Sequence, residues 1–465
     1  MLLIDALRQS AFATLSGDHN PLHVDADQAR RSQFGGRVVH GVHLVLAALD
    51  SLNLGFPFTI LRLDAQFRSA VMVDEAITFI HESLDDGSVH IAVKVGSQVR
   101  TTVLVEIEQI ASIGTAAHQS EWPTEVSVRP SLDELAGVAG SDQLAMDEKA
   151  FCVLFPSLAA SLSRPDAAAL LGTTRVVGMH CPGQWALFRR LIWQHSDRID
   201  ADSAPAEVIA YHVSGIDKRF AMVTLALDVG WWAIRAEVIL REAPPSQISL
   251  GAVRSRVRPD EFKGVRALIV GGSRGLGELT AKLLAAGGAV VLITYRTGTE
   301  DAARVAADLG NGARTVQFSV DAPDPAALGQ IISFAPTHIS YFATPVVAKR
   351  PPNSWDQSTF VCFMDVYVIG LSKLLSSVHN AGSLTSLFFP SSTFVDNAPA
   401  GFAEYIAAKI AGEALCASWQ RVHPAQRVVV GRLPPLVTDQ TSARLGTDTL
   451  GNLDVMLPAM RRIIG

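Results

Sequence analysis

The stretch VRALIVGGSRGLGELTAKLLAAGGAVVLITYR, Val265 to Arg296, reads as a buried strand, a glycine-rich turn, a helix and a second buried strand. That order is a parallel βαβ unit. The turn is Gly271-Gly272-Ser273-Arg274-Gly275-Leu276-Gly277. Gly271 permits the tight exit from the strand. Gly275 and Gly277 let a pyrophosphate and the helix approach closely, and the helix N-terminus offers free N–H groups to phosphate oxygens. Ser273, Arg274 and Leu276 fill the turn and complete the candidate cofactor contacts there.

Outward from this unit, apolar runs recur at TVQFSV, HISYFAT, SLTSLFFPSS and VVVGRLPP, with helical segments between them. The C-terminal block, 263–465, is therefore expected to be an α/β, Rossmann-type, doubly wound parallel sheet. The second strand ends at Tyr295 and Arg296, without the acidic residue that would hold the 2′-hydroxyl of NAD. Arg274 and Arg296 instead offer guanidinium groups to a 2′-phosphate, so the expected cofactor is NADP(H). The same two arginines also fit as solvated surface residues. Asp321 is placed either at the adenine amine or as an ordinary turn aspartate.

Tyr405 and Lys409 form Y-I-A-A-K, four residues apart and so on one helix face. Ser392 lies thirteen residues before Tyr405, after the apolar strand SLFFPSS. In order and spacing this resembles the short-chain dehydrogenase/reductase family, which implies Ser392, Tyr405 and Lys409 as its catalytic set. Leu433-Pro434-Pro435-Leu436-Val437-Thr438 resembles that family's proline loop, placing Val437 and Thr438 near the nicotinamide. Hydride transfer to a carbonyl builds alkoxide charge, which a tyrosine proton quenches. A neighbouring ammonium is expected to lower the tyrosine pKa and to bind the ribose. Two departures stand out. Tyr341-Phe342-Ala343-Thr344-Pro345 replaces an N-A-G-like turn, and Tyr367 stands where the family has an asparagine that supports a water relay.

Phe12 to Ala29 reads F-A-T-L-S-G-D-H-N-P-L-H-V-D-A-D-Q-A. It resembles the signature of MaoC-like, (R)-specific enoyl-CoA hydratases, and the likeness continues through Gly35–Gly41 and over about the first 110 residues. The resemblance implies that Asp18 and His23 share one water, delivering hydroxyl to C3 and a proton to C2 of an unsaturated thioester. Asn20 would hold the turn and the substrate, and backbone N–H groups near Gly41 would take the enolate charge. His19, His40 and His43 read as structural. Asp18 alone would equally serve as a helix cap.

Alternating segments after one long apolar helix make 1–113 a hotdog unit. Residues 114–241 read as a connector carrying at most one helix, followed by a second hotdog-like unit. That unit has helix-like FCVLFPSLAASLS and GQWALFRRLIW before three strands, AEVIAYHVSG, RFAMVTLALDV and WWAIRAEVILRE. The expected fold is thus an α+β double hotdog, a linker at 242–262, and the Rossmann-type block. The second unit is read as a scaffold for the acyl tunnel, with no catalytic pair at His180 and Cys181.

A chain of 465 residues, 48% apolar and 18% charged, is expected to be globular with more than one core. A net charge of −6 gives no footprint for nucleic acid or an anionic membrane. The start MLLIDALRQSAF is not read as a signal peptide, no stretch is read as membrane-spanning, and four scattered cysteines fit free thiols in a cytoplasmic protein. No metal is expected. The resemblances imply an NADPH-dependent 3-oxoacyl thioester reductase joined to an (R)-3-hydroxyacyl dehydratase. Its partner would be an acyl-CoA or acyl-carrier-protein thioester, and its assembly a homo-oligomer. An oxidative hydratase/3-hydroxyacyl dehydrogenase and an acyl-binding pseudoenzyme are the other readings.

Overall fold

The computed structural model describes residues 1–118, 121–123, 125–195, 207–230, 232–310, 312–347, 355–441 and 448–464. Ala206 and Trp231, quoted above within strands, lie outside the described residues. The chain divides into two compact units, Met1–Ala243 and Pro244–Gly465.

The first unit is built on a ten-stranded sheet whose neighbouring strands are all antiparallel. Its strands are β1 (Leu2–Leu3), β2 (Phe58–Phe67), β3 (Ala76–Ser83), β4 (Val89–Val95), β5 (Gln98–Gln109), β6 (Ala139–Gln143), β7 (Ala186–His195), β8 (Val208–Asp217), β9 (Met222–Val229) and β10 (Trp232–Leu240). The order across the sheet is β1-β3-β4-β5-β2-β7-β10-β9-β8-β6. Helix α1 (Ala6–Ser16) precedes the glycine turn at Gly17. Two further helices, α2 (Gly41–Asp50) and α3 (Arg164–Arg175), touch each other, and they share one apolar core with the sheet. The alternation of strands such as β9 and β10, buried on every second residue, follows from one face lying on that core.

Two elements differ from the sequence reading. GQWALFRRLIW contributes strand β7, not a helix. Leu191 and Trp193 enter the core while Arg190 pairs with Asp64 of β2, so the run alternates, and neighbours β2 and β10 occupy both its edges. The central helix of this half is α3 instead, continued by a π turn at Val176–His180. Every residue of α3 except Pro165 is buried, which leaves no polar face for a helical period to reveal. Its charges are matched inside: Asp166 accepts from Thr59 Oγ1 and the Ile60 N–H, both at 2.8 Å, and Arg175 meets Asp142 at 3.0 Å. The connector holds a 3-10 turn at Asp133–Leu135 and the edge strand β6 rather than an α-helix.

The second unit is a six-stranded parallel sheet: β11 (Arg266–Val270), β12 (Val290–Tyr295), β13 (Arg314–Gln317), β14 (His338–Tyr341), β15 (Ser386–Ser392) and β16 (Arg427–Leu433). The order is β13-β12-β11-β14-β15-β16, so the direction of winding reverses between β11 and β14. In such sheets the crevice at the carboxyl ends of the strands beside that reversal takes the ligand. Helix α4 (Gly275–Ala286) follows β11, and α5 (Ala403–Val422) precedes β16. The stretch read as a linker is partly built into this unit. Leu250–Arg254 is helical, Lys282 Nζ donates to the Ile248 carbonyl at 3.0 Å, and the Phe262 N–H donates to Gly287 at 2.7 Å.

The helical run Gln357–Asn380 has a mean hydropathy of 1.6 and is long and apolar enough to cross a bilayer, which the sequence reading passed over. Tyr367, Leu371, Leu374, Leu375 and Val378 of this run are buried in a core of the second unit, and that packing accounts for its apolarity. The cysteines are free, Cys181 and Cys416 buried, Cys152 and Cys362 exposed.

Candidate active sites

In the first unit, α1 ends at Gly17, whose φ of +71° and close neighbours admit no side chain: a Cβ would fall 2.7 Å from Trp122 and 2.8 Å from Arg175. The chain then turns through Asp18 to Asn20, which caps the short helix Pro21–Val24 by accepting from the Leu22 N–H at 3.1 Å. Asn20 Nδ2 also reaches the carbonyls of Gly178 and Gly183, at 3.4 and 3.3 Å. Asp18 is fully buried. Its Oδ1 accepts from the Asn20 N–H at 3.1 Å and its Oδ2 from Thr174 Oγ1 at 2.7 Å. A Cβ on Gly178 would stand 2.2 Å from Asp18 Oδ1, so the π turn approaches the carboxylate as closely as backbone allows.

His23 donates from Nδ1 to the Val38 carbonyl at 2.7 Å, which leaves Nε2 with a free lone pair. A ring nitrogen of His23 and a carboxylate oxygen of Asp18 lie within 4.8 Å of each other. Burial raises Asp18 to about 7 against the opposing hydrogen bonds from Thr174 and Asn20. Burial lowers His23 to about 4, with the bond to Val38 opposing and the charge of Arg241 adding to the fall. Near neutrality the pair is a half-protonated carboxyl facing a neutral imidazole.

His40 also lies within 4.8 Å of both, a spacing that suits a metal ion. Its ring is already engaged: Nδ1 meets Gln9 Nε2 at 2.9 Å and Nε2 meets the Asp18 carbonyl at 3.0 Å, while the ring stacks on His23 at 3.9 Å. It therefore braces the pair, in keeping with its structural reading, and offers no lone pair to a cation. His43 stacks on Phe12 at 4.4 Å and meets Gln9 Oε1 at 3.3 Å. Gly41 begins α2, where the first backbone N–H groups have no partner within the helix.

In the second unit, Gly271 leaves β11 at φ +80°. A Cβ on Gly277 would lie 2.1 Å from the Gly271 carbonyl oxygen, so only glycine lets α4 start this close to the strand. Gly275 sits at φ +59°, a conformation that favours glycine, and a Cβ on it would meet Thr438 in van der Waals contact at 3.7 Å, so the start of α4 and the Thr438 loop lie side by side. Ser273 is buried beneath the turn and Leu276 half-buried. Val437 is fixed by Asn452, which accepts from its N–H at 3.0 Å, and the Thr438 N–H donates to Thr441 at 2.8 Å. This cradle fits a dinucleotide pyrophosphate.

Other expected contacts stand differently. Tyr295 packs its ring into the apolar layer with Ala302 and Val305, away from a polar role. Arg274 is paired with Asp439 at 2.6 Å and Arg296 faces Asp321 at 3.9 Å. Asp321 lies beyond the end of β13, in a turn where it accepts from Ser319 Oγ, and this bond holds its carboxyl below the usual range.

Ser392 and Tyr405 share a hydrogen bond. Burial raises Tyr405 above the ordinary tyrosine value and that bond opposes the rise; Lys409 is not what sets it, contrary to expectation. The Lys409 ammonium donates to the Pro390 carbonyl at 2.7 Å and sits 3.9 Å over the Tyr367 ring, but 5.7 Å from that of Tyr405. Burial lowers Lys409 to about 7. Tyr367 in turn bonds Thr344 Oγ1 at 2.5 Å, so the two departures from the family pattern meet in one contact.

The MaoC like domain family matches residues 8–106, and the short chain dehydrogenase family matches residues 266–448. The chain joins a MaoC-like domain to a short-chain dehydrogenase domain. No curated protein matches it. Among solved structures, a short chain dehydrogenase/reductase family protein is 27% identical, covering 40% of this chain and 80% of its own, with a TM-score of 0.36. A Burkholderia cenocepacia short chain dehydrogenase in complex with NADP is 24% identical over 40% of this chain and 80% of its own, TM-score 0.36. A Brucella melitensis 3-ketoacyl-(acyl-carrier-protein) reductase complexed with NADH is 23% identical over 39% and 81%, TM-score 0.36.

Sequence reasoning missed what the second half of the first unit brings to the MaoC-like pair: Thr174, Gly178 and Arg241. None lies near the signature in sequence, and RVVGMHCPG carries no motif of its own. Thr174→Val should raise the pKa of Asp18 above about 7, because the lost hydrogen bond favours the charged form. A carboxyl-carbon NMR titration of Asp18 reads this directly, and an unmoved midpoint would contradict it.

Proposed function

We propose that the MaoC-like domain hydrates 2-enoyl thioesters and dehydrates (R)-3-hydroxyacyl thioesters, and that the dehydrogenase domain reduces 3-oxoacyl thioesters with NADPH. The observation that carries the first half is the gap of up to 4.8 Å between Asp18 and a ring nitrogen of His23. Two hydrogen bonds of about 2.8 Å meeting at one water span roughly 4.5 Å, so a single water fits between the carboxyl and the ring nitrogen. In hydration the Asp18 carboxylate takes a proton from that water as its oxygen bonds to C3. The proton that Asp18 took from the water is then delivered by its carboxyl to C2, His23 Nε2 accepts a hydrogen bond from the water's other O–H, and the thioester enolate charge is held by N–H groups at the start of α2 near Gly41. Dehydration retraces these steps. The ten-stranded sheet with its two central helices is read here as a double hotdog, whose second half closes the site from behind.

In the dehydrogenase domain NADPH, when bound, supplies the hydride. Gly271, Gly275 and Gly277 hold the pyrophosphate. Arg274 exchanges Asp439 for the 2′-phosphate, with Arg296 beside it, and Val437 and Thr438 border the nicotinamide end. Tyr405 gives its proton to the former carbonyl oxygen, Ser392 holds that oxygen, and Lys409 binds the ribose. A preference for NADPH favours the reductive order, with reduction followed by dehydration.

The test is steady-state kinetics with acetoacetyl-CoA and crotonyl-CoA using NADPH and NADH. Arg274→Ala should raise the KM for NADPH about 10- to 100-fold, the loss of one charge-assisted contact, and leave the KM for NADH nearly unchanged. Wild-type selectivity for NAD⁺ would instead support the oxidative order.

A further inference from the structure

Arg241 follows β10 directly, and its N–H donates to the Trp185 carbonyl at 2.9 Å. One guanidinium nitrogen, Nη2, has a long contact of 3.4 Å to the Gln184 carbonyl, and the group stands 5.8 Å from the Trp185 ring. Its Nε is buried without a hydrogen-bond partner. No carboxylate lies within 4.0 Å of it among the described residues. Burial alone pulls its pKa down to about 10, against the ordinary range above 12. The residue is half-buried, with Nε closed to solvent, and a partly desolvated cation with no counter-charge costs a fold stability; nothing in the hydration chemistry above uses it.

Its position is the telling part. Residues Gly183, Gln184 and Trp185 are consecutive: the first accepts from Asn20 Nδ2, the other two hold Arg241. The Gln184 side chain lies between Gln28 Oε1, 2.9 Å away, and the exposed guanidinium of Arg129. The charge of Arg241 is felt by His23. The unpaired cation therefore borders the Asp18–His23 site, on a wall made by the second half of the first unit.

We propose that Arg241 binds an anionic oxygen group of the thioester substrate, either a carboxylate on the acyl chain or a phosphate of the carrier arm, and so sets which thioesters the site accepts. This rests on the hydratase reading of that site. The ligand supplies the counter-charge the fold withholds, and a planar guanidinium with Nε and Nη2 unsaturated is suited to take two oxygens at once.

Four unreactive, saturated probes separate the sources: butyryl-CoA, glutaryl-CoA, butyryl-pantetheine and glutaryl-pantetheine. Their binding to the full chain and to Arg241→Gln is measured by titration calorimetry. Losing one partner of a desolvated charge pair costs roughly 100-fold in affinity. If the anion is an acyl carboxylate, the loss appears with both glutaryl compounds and not with butyryl-pantetheine. If it is a carrier phosphate, it appears with both CoA compounds and with neither pantetheine. Arg241→Gln should melt no lower than the wild type, since it removes a half-buried charge that has no counter-ion. Uniform changes within twofold, no binding by the wild type, or a fall in Tm with equal loss for all four probes would overturn the proposal. Crotonyl-CoA hydration by the wild type is scored separately: its absence, with the binding contrast intact, sinks the hydratase reading and leaves the anion site standing.

Discussion

Asp18→Asn is expected to lower crotonyl-CoA hydration by about 10²- to 10⁴-fold and to raise the thermal stability of the chain. The loss follows from the role of the carboxylate as the group that takes a proton from water. The gain follows from linkage. Burial raises the folded pKa of Asp18 to about 7, above the unfolded value near 3.9. Between those values the folded state holds a proton that the unfolded state has released, so this group's contribution to stability is complete below about pH 4 and is lost as pH rises through 7. Above pH 7 the folded state carries a buried carboxylate at a cost on the order of 4 kcal/mol. Asparagine keeps the shape and one acceptor without that charge. Melting of the two proteins at pH 8 should differ by several degrees, and much less at pH 5, where wild-type Asp18 is already neutral. Reduction of acetoacetyl-CoA should not change. A variant that hydrates normally, or a stability difference larger at pH 5 than at pH 8, would remove Asp18 from its role.

How much of this was legible in the sequence depends on where the determining forces act. The glycine turn was legible because its constraint is local. Gly277 sits where any Cβ would strike the backbone of Gly271, and such a restriction fixes residue type at fixed spacing. The Gly17–His23 turn was legible for the same reason. Helix α3 was not. It is buried on all sides, and its Asp166, Thr174 and Arg175 satisfy partners that come from β2, the Asp18 turn and β6, distant in sequence. Strand β7 was misread because an isolated apolar-basic run fits either period, and only pairing with β2 and β10 selects the extended form. Arg274 reads as a 2′-phosphate ligand or as a solvated surface residue; its partner Asp439 lies 165 positions on and no local pattern announces it.

Tyr405→Phe is expected to lower NADPH-dependent reduction about 10²- to 10⁴-fold through kcat, with the KM for NADPH and crotonyl-CoA hydration unchanged. The ring would keep its edge contacts with Phe363, Tyr367 and Phe394, so only the proton and the bond to Ser392 are removed. The pH dependence carries the more particular prediction. Burial lowers Lys409 to about 7, so its ammonium form fades as pH rises through neutrality, and reductase kcat/KM should fall along that limb in the free enzyme. Opposing that burial are the charges of Cys416 and Glu413, with the Pro390 carbonyl and the Tyr367 ring face 3.9 Å away also favouring the ammonium. Tyr367→Leu removes the ring, favours the neutral amine and should move the limb to lower pH. Tyr367→Phe keeps the ring, loses only the bond to Thr344, and should leave the limb in place. If Leu and Phe behave alike, the aromatic face is not what holds the Lys409 charge; if Tyr405→Phe reduces acetoacetyl-CoA at the wild-type rate, proton delivery comes from elsewhere and the assignment of the dehydrogenase site fails with it.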